Sequence, residues 1–271
     1  MTKITTDLTT HQEGMSMNGA QRLFADKAAR TAINELDARD DMASAYARKT
    51  NFDLVVLKQA VAEGNLEKYG LKVGDQKTIN GHTYVVADLN PMKGTSTPYR
   101  LTTNHVGLIV IPHTKQAWNA SDNTAQGADD RGAGYLNCDL HYYLKNTLLP
   151  LVETDLGAAN LLGHSKLLSN AVTNGKASGW TWEADCKICA LSEVQVYGSV
   201  VWGASGYDTG EACRQLAVFQ KYSHTEIFGG EYPWLRDVVS ASLAAFASDY
   251  GYADGRAASG ARCVAALILF H

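Results

Sequence analysis

The chain has 271 residues, 45% of them hydrophobic and 19% charged, which is enough apolar material for a substantial core in one large domain or two. A formal net charge of −4 gives no global attraction to nucleic acid or to an anionic membrane, so neither is expected as a partner. No run of about 18 apolar residues occurs, and Met1 to Gly14 has neither a basic leader nor an apolar segment with a cleavage site, so synthesis and folding in a cytoplasm without membrane insertion is the expectation.

To about Gly70 the chain is rich in Ala, Leu, Lys, Arg, Asp and Glu and reads as helical. After an N-cap candidate at Asn18, Ala25, Ala29, Ala32 and Leu36 form a narrow apolar seam flanked by Arg22, Lys27, Arg30, Glu35 and Arg39. A second helix is expected from Thr50 or Asn51, carrying Leu54, Leu57 and Val61 and interrupted at Gly64. Two short alanine-rich seams need partners. Three are available: copies of the same chain in a bundle, a larger assembly, or the rest of the chain itself.

From Leu71 the texture changes to strands and turns, giving an α+β fold class overall. Asn80-Gly81, between β-branched flanks, predicts a hairpin because both positions tolerate positive φ. Val106 to Ile111, ended by Pro112, is the expected central strand of a β-rich region over 71–118. Asn119 to Gly134 is polar and Gly/Asp-rich and reads as a surface loop. Leu140, Leu144, Thr147 and Leu151 share one face of a helix that starts near Asn137, with Pro150 marking its end or a kink. Short strands and loops follow, with tryptophans at 180, 182, 202 and 234.

Patterns that carry chemistry are sparse. Five scattered cysteines, Cys138, Cys186, Cys189, Cys213 and Cys263, argue against a disulfide framework and for small buried hydrophobes. Cys186-Lys187-Ile188-Cys189 has CxxC spacing, but no second pair or paired histidines complete four metal ligands, and Lys187 to Leu191 alternates like a strand. His82, His105, His113, His141, His164 and His224 fall in no ligand spacing and read as surface or satisfied core histidines. Gly203-Ala204-Ser205-Gly206 lacks the spacing of a nucleophile elbow and reads as a turn. No phosphate-binding or dinucleotide glycine pattern occurs. Neither a catalytic residue, a metal site nor a cofactor is expected.

The segment Ser242 to Arg262 is dominated by Ala, Gly, Ser, Asp and Tyr between Trp234-Leu235 and the apolar run Val264 to Phe270. Such a composition makes a poor core and a good binding face, since tyrosine supplies contact area at low entropic cost and Ser, Gly and Asp adapt their hydrogen bonding. The alternative is a plain β-turn at Tyr250-Gly251-Tyr252 with two surface tyrosines.

Several motifs stand in a familiar order: Leu161-Leu162-Gly163-His164 through Val172, Ser178-Gly179-Trp180-Thr181-Trp182, Val196-Tyr197-Gly198, and Val201-Trp202-Gly203 through Asp208. Pro233-Trp234-Leu235-Arg236-Asp237-Val238 follows, then Tyr250-Gly251-Tyr252-Ala253 and Ala258-Ser259. Together they resemble a family of tailed-phage virion proteins. The terminal module is similar to the variable domains of retroelement-diversified proteins, the phage major tropism determinant class, whose fold is C-type-lectin-like. The resemblance spans roughly residues 70 to 271 and is clearest over 160–271. One departure is Cys263-Val264-Ala265-Ala266, where the family usually has a Gly-Val-Arg-Pro-like tetrapeptide before its last strand.

The resemblance implies a helical assembly or virion-attachment segment over 1–70 and a C-type-lectin-like binding domain over 71–271, built of short mixed strands, one or two helices and long loops. It also implies a variable face over 242–262 made by Ser242, Phe246, Asp249, Tyr250, Tyr252, Asp254, Arg256 and Ser259. The protein would then be a non-enzymatic surface protein of the virion, a homo-oligomer with a trimer favoured. Its helices would hold other virion proteins and its variable face a bacterial surface receptor, glycan or protein. A purely structural head, tail or fibre decoration protein is the alternative. The lectin-like superfold also hosts a formylglycine-generating oxidase, but neither Cys186/Cys189 nor Cys213/Cys263 fits its motif. The loop motifs of calcium-dependent sugar binding are absent, so no calcium requirement is expected.

Overall fold

The computed structural model describes Arg48 and residues 51–93, 101–125, 131–202 and 214–271. The seam from Asn18 to Arg39, the Gly203 to Gly206 turn and Cys213 lie outside the described residues. Helix α1 (Leu54–Glu63) starts where Asp53 can cap it, its carboxylate accepting from the Val55 N–H at 2.7 Å, and stops where Gly64 turns left-handed at φ +67°. The start therefore falls a few residues beyond the Thr50 or Asn51 suggested by the sequence. Leu57, Ala60 and Val61 enter the same core as Tyr84, Leu108 and Val152. One compact unit runs from Arg48 to His271, so this helix belongs with the strands and not with an assembly segment ending near residue 70. Its partner is its own chain.

The expected hairpin forms from β1 (Gln76–Ile79) and β2 (His82–Leu89), with Asn80 at φ +49° and Gly81 at φ +86° supplying the turn. Strand β3 (Val106–Ile111) is central, pairing antiparallel with β2 on one side and with the last strand, β13 (Ala266–Phe270), on the other. Two short strands, β5 (Leu161–Leu162) and β8 (Ile188–Ala190), share the far edge of β13. Tyr84, Val86, Leu108, Val110, Ile268 and Phe270 face one core, and Val85, Ala87, Ile109, Ile111, Leu267 and Leu269 face a second. Burial on both faces is why these strands read as continuous apolar runs. The Cys263 to Ala266 departure leaves the last strand in unbroken register with β3, all four of its residues buried.

The first core is closed by a long helical stretch: α2 (Asp139–Tyr143), a π-helical turn (Leu144–Leu148) and α3 (Leu149–Leu156). Leu140, Leu144, Leu148, Val152 and Leu156 point inward, while Thr147 and Leu151 are exposed, so the expected face is corrected at two of its four positions. A stripe repeating every four residues drifts by about 40° per step around an α-helix, and the wider π turn takes up part of that drift. Pro150 neither ends nor breaks the helix. It occupies the first turn of α3, where a missing N–H costs little.

A long hairpin, β6 (His164–Thr173) and β7 (Lys176–Cys186), turns at Asn174 and Gly175, both at positive φ. Three short helices cover the second core: α4 (Glu193–Tyr197), α5 (Ala217–Lys221) and α6 (His224–Ile227). A small antiparallel sheet holds β9 (Trp234–Val238), β10 (Leu243–Ala247) and β11 (Ala253–Ala257), with β10 in the middle. Finally β12 (Ala261–Cys263) pairs with β4 (Lys115–Ala117) and leads into β13. The architecture is mixed α+β, mostly strands with few helices.

Candidate functional site

The small sheet is anchored from both sides. Trp234, Val238, Ala244 and Phe246 join the first core, and Leu235, Ala245, Ala247 and Ala253 the second. Two buried indoles tie it to the neighbouring pair: Trp234 donates to the Gln116 carbonyl at 2.9 Å, and Trp118 to the Leu235 carbonyl at 3.2 Å. Everything between β9 and β12 therefore rides on a fixed support.

At one end, Ser248 is fully buried and organises the turn from β10 to β11. Its hydroxyl donates to the Tyr252 carbonyl at 2.5 Å, its N–H to the Tyr197 hydroxyl at 3.1 Å, and its carbonyl lies 2.6 Å from His224 Nε2. Gly251 takes φ +79°, a conformation few side chains adopt, and so lets the chain reverse with both neighbouring tyrosines outward. Tyr250 is 69% and Tyr252 49% exposed, with their rings stacked at 6.0 Å and 25°. Asp249 beside them is exposed. Sequence reasoning expects these three on a binding face, and all three lie together at this exposed turn.

It misses Trp202. This side chain is 40% exposed, and its indole N–H is spent on the Ala253 carbonyl at 2.9 Å, which lays the ring against β11 one residue from Tyr252. The Trp202 backbone N–H is held by both oxygens of Glu193 at 2.8 and 3.1 Å, a carboxylate with no solvent exposure. Glu193 is in turn positioned by its own N–H on Asp237 Oδ2 at 2.8 Å. No local sequence signal distinguishes this tryptophan from the buried ones, because its contacts are 9 to 51 residues away.

The other five expected residues divide. Asp254 and Arg256 alternate along one face of β11, half-buried and exposed respectively. Ser242 and Ser259 sit at the opposite end, on turns braced by residues 119–125: Asp122 accepts the Ser259 N–H at 3.1 Å and the Ser259 hydroxyl, and Thr124 bonds the Ser240 and Ala241 carbonyls. Those bonds from Ser259 hold the exposed Asp122 carboxyl below its ordinary value. Asn119 and Thr124 are buried, so this part of the expected surface loop is a structural brace. Phe246 is 4% exposed and cannot face a ligand. Its ring meets Trp234 edge to face at 6.4 Å and is roofed by the Arg262 guanidinium at 3.6 Å. Burial, then the neighbouring Arg256 charge, lowers the Arg262 pKa. At about 3.4 Å per residue the strand separates Tyr252 from Ser259 by roughly 20 Å, so the seven residues other than Phe246 make two patches joined by an edge, not one.

Elsewhere the chemistry is interior. Cys138, Cys186, Cys189 and Cys263 are all buried and free of disulfides. Burial pushes the Cys263 thiol up to about 12. The Cys186 thiol is held up by its hydrogen bond to Cys189 and by burial, with Arg236 Nη1 4.0 Å from the Cys189 sulfur. Burial also opposes ionisation of the Glu183 carboxyl, yet His141 at 3.0 Å and the Lys145 ammonium outweigh it and hold the group down at about 2. Among the described residues no group of three or more His, Cys, Asp or Glu side chains could hold a metal ion. Of the histidines expected to be satisfied, His105 is, bonding Met92 N–H and the Thr103 carbonyl. His164 and His141 are exceptions: both are buried with neither ring nitrogen in a well-formed hydrogen bond, although His141 Nε2 lies 3.0 Å from Glu183.

Comparison with family models, with curated proteins and with solved structures finds no match to the chain.

Proposed function

We propose that this chain is a surface protein of a bacteriophage virion that binds a receptor on the bacterial cell through the turn end of its small sheet. The observation that carries the reading is the pairing of exposed aromatic side chains, Trp202, Tyr250 and Tyr252, with a support in which β9 and β10 are anchored in both cores and β11 in the second through Ala253. Rigid aromatic anchors on a preorganised frame lose little entropy on binding and supply most of the energy at recognition surfaces.

The motif order from Leu161 to Ser259 supports a C-type-lectin-like domain of the retroelement-diversified kind. So does a last strand that returns to pair with β3 and leaves most of 242–262 on a separate small sheet, β10 and β11 beside β9. On this reading the protein is not an enzyme, works as a homo-oligomer, and gains strength from several weak sites acting together. The test is adherence: labelled full chain should bind at least one strain of a bacterial panel saturably and be displaced by unlabelled chain. Failure to bind any strain would favour a decoration role.

A further inference from the structure

Trp202 lies outside the segment 242–262, yet its ring is set against that segment by the indole N–H bond to Ala253, while its backbone N–H is held by Glu193. With the indole N–H consumed by Ala253, the exposed part of the ring has no donor left to satisfy. It offers a bare π face beside two stacked phenols. Asp249 adjoins Tyr250 in the turn, and Asp254 and Arg256 follow two and four residues after Tyr252 along β11, two acceptor groups and one fork of donors leading away from the rings.

We infer that this end of the sheet is a carbohydrate platform, on which Trp202, Tyr250 and Tyr252 stack against the C–H faces of sugar rings while Asp249, Asp254 and Arg256 bind their hydroxyls. The inference rests on the receptor-binding reading and names its ligand class. Three features favour a glycan over a protein. The negative face of an aromatic ring attracts the weakly positive C–H groups of a pyranose, and a ring with no free donor suits that contact. Vicinal hydroxyls both donate and accept, which mixed carboxylates and a guanidinium answer and a surface of one sign does not. A stable protein interface needs about 800 Å² per partner from 20 to 30 residues, far more than three rings and three polar groups provide.

The division of labour follows from the positions. Trp202 is a fixed stacking element, and Tyr250, Tyr252, Asp249, Asp254 and Arg256 belong to the segment expected to vary. Changes within 242–262 would alter which sugar is read and leave sugar binding itself in place.

The experiment uses the full chain on a printed array of bacterial polysaccharides and oligosaccharides, beside Tyr250→Ala and Trp202→Ala. Tyr250 is the cleaner probe because its ring is largely solvated, and Trp202→Phe keeps a ring where Trp202→Ala removes it. The expected result is binding to at least one glycan, weakened tenfold or more in both alanine variants and partly restored in Trp202→Phe. Silence of the wild type across the array, or a signal that Tyr250→Ala leaves unchanged, overturns the inference. A parallel measurement separates the two readings. Adherence to bacteria that survives periodate cleavage of surface vicinal diols sinks the glycan and keeps the receptor, whereas glycan binding without adherence to any cell keeps the platform and sinks receptor binding.

Discussion

Phe246 and Tyr250 are four residues apart in a segment of uniform small-residue composition, and they do opposite work. Phe246→Ala removes a buried ring from under Arg262 and should cost about 3–5 kcal/mol in chemical denaturation. Tyr250→Ala should stay within about 0.5 kcal/mol of the wild type in the same measurement, leaving any effect on binding unmixed with folding. Composition suggests Ser242 to Arg262 as a binding face. It does not reveal that β10 is covered on both faces, because much of the cover, Trp234 on one side and α4 with the second core on the other, comes from outside the segment. His164 makes stability depend on pH. Burial, then the Lys166 charge, lowers its pKa from 6.5 to about 3. Between those values the unfolded chain takes up a proton that the folded chain refuses, so stability is lost as pH falls from 6.5 toward 3. About 2 kcal/mol should disappear between pH 8 and pH 5, and His164→Leu should remove most of that loss, measured by denaturation at both values. His105, also lowered by burial, adds a smaller loss of the same sign. The Glu183 carboxyl, held down at about 2, contributes only below its unfolded value of 4.5.

At the scale of elements, the helix from Asp139 to Leu156 was readable as a helix but not in its phase. A four-residue stripe of apolar side chains admits two adjacent faces, and Thr147 and Leu151 belong to the wrong one once the π turn is present. Leu148→Ala should cost about 2–5 kcal/mol and Leu151→Ala less than about 1, a contrast that a pure α-helix with the expected face would invert. The Asn80-Gly81 hairpin was legible from its dipeptide and its β-branched flanks. Asn174-Gly175 is the same dipeptide at the tip of the longest hairpin, so that turn was equally legible and only the flanking sequence, Thr173 and Lys176, hid it. Gly175 sits at φ +76° with the Ala241 nitrogen 3.1 Å from where a Cβ would stand. Gly175→Val should destabilise by about 2 kcal/mol or more in a thermal melt, through strain and crowding together.

For the whole molecule, the decisive arrangement is a sheet with a core on each face and a second, smaller sheet gripped by both. That plan makes β13 the keystone: it pairs with β3, β5 and β8, and the segment 242–262 precedes it in the chain. On the proposed reading, a segment placed immediately before such a strand could vary at its exposed turn while its ends stay fixed. The sequence could not show which end of the segment is the exposed aromatic one, since that depends on Ser248 meeting Tyr197 and Trp202 meeting Ala253, each across 51 residues. The measurement that tests the account most directly compares adherence of the full chain to a bound bacterial strain with that of two double variants. Tyr250→Ala/Tyr252→Ala should lose at least tenfold in affinity while Ser242→Ala/Ser259→Ala, at the braced end, stays within about twofold; equal binding by the tyrosine variant and the wild type would contradict the assignment of the turn end as the recognition face.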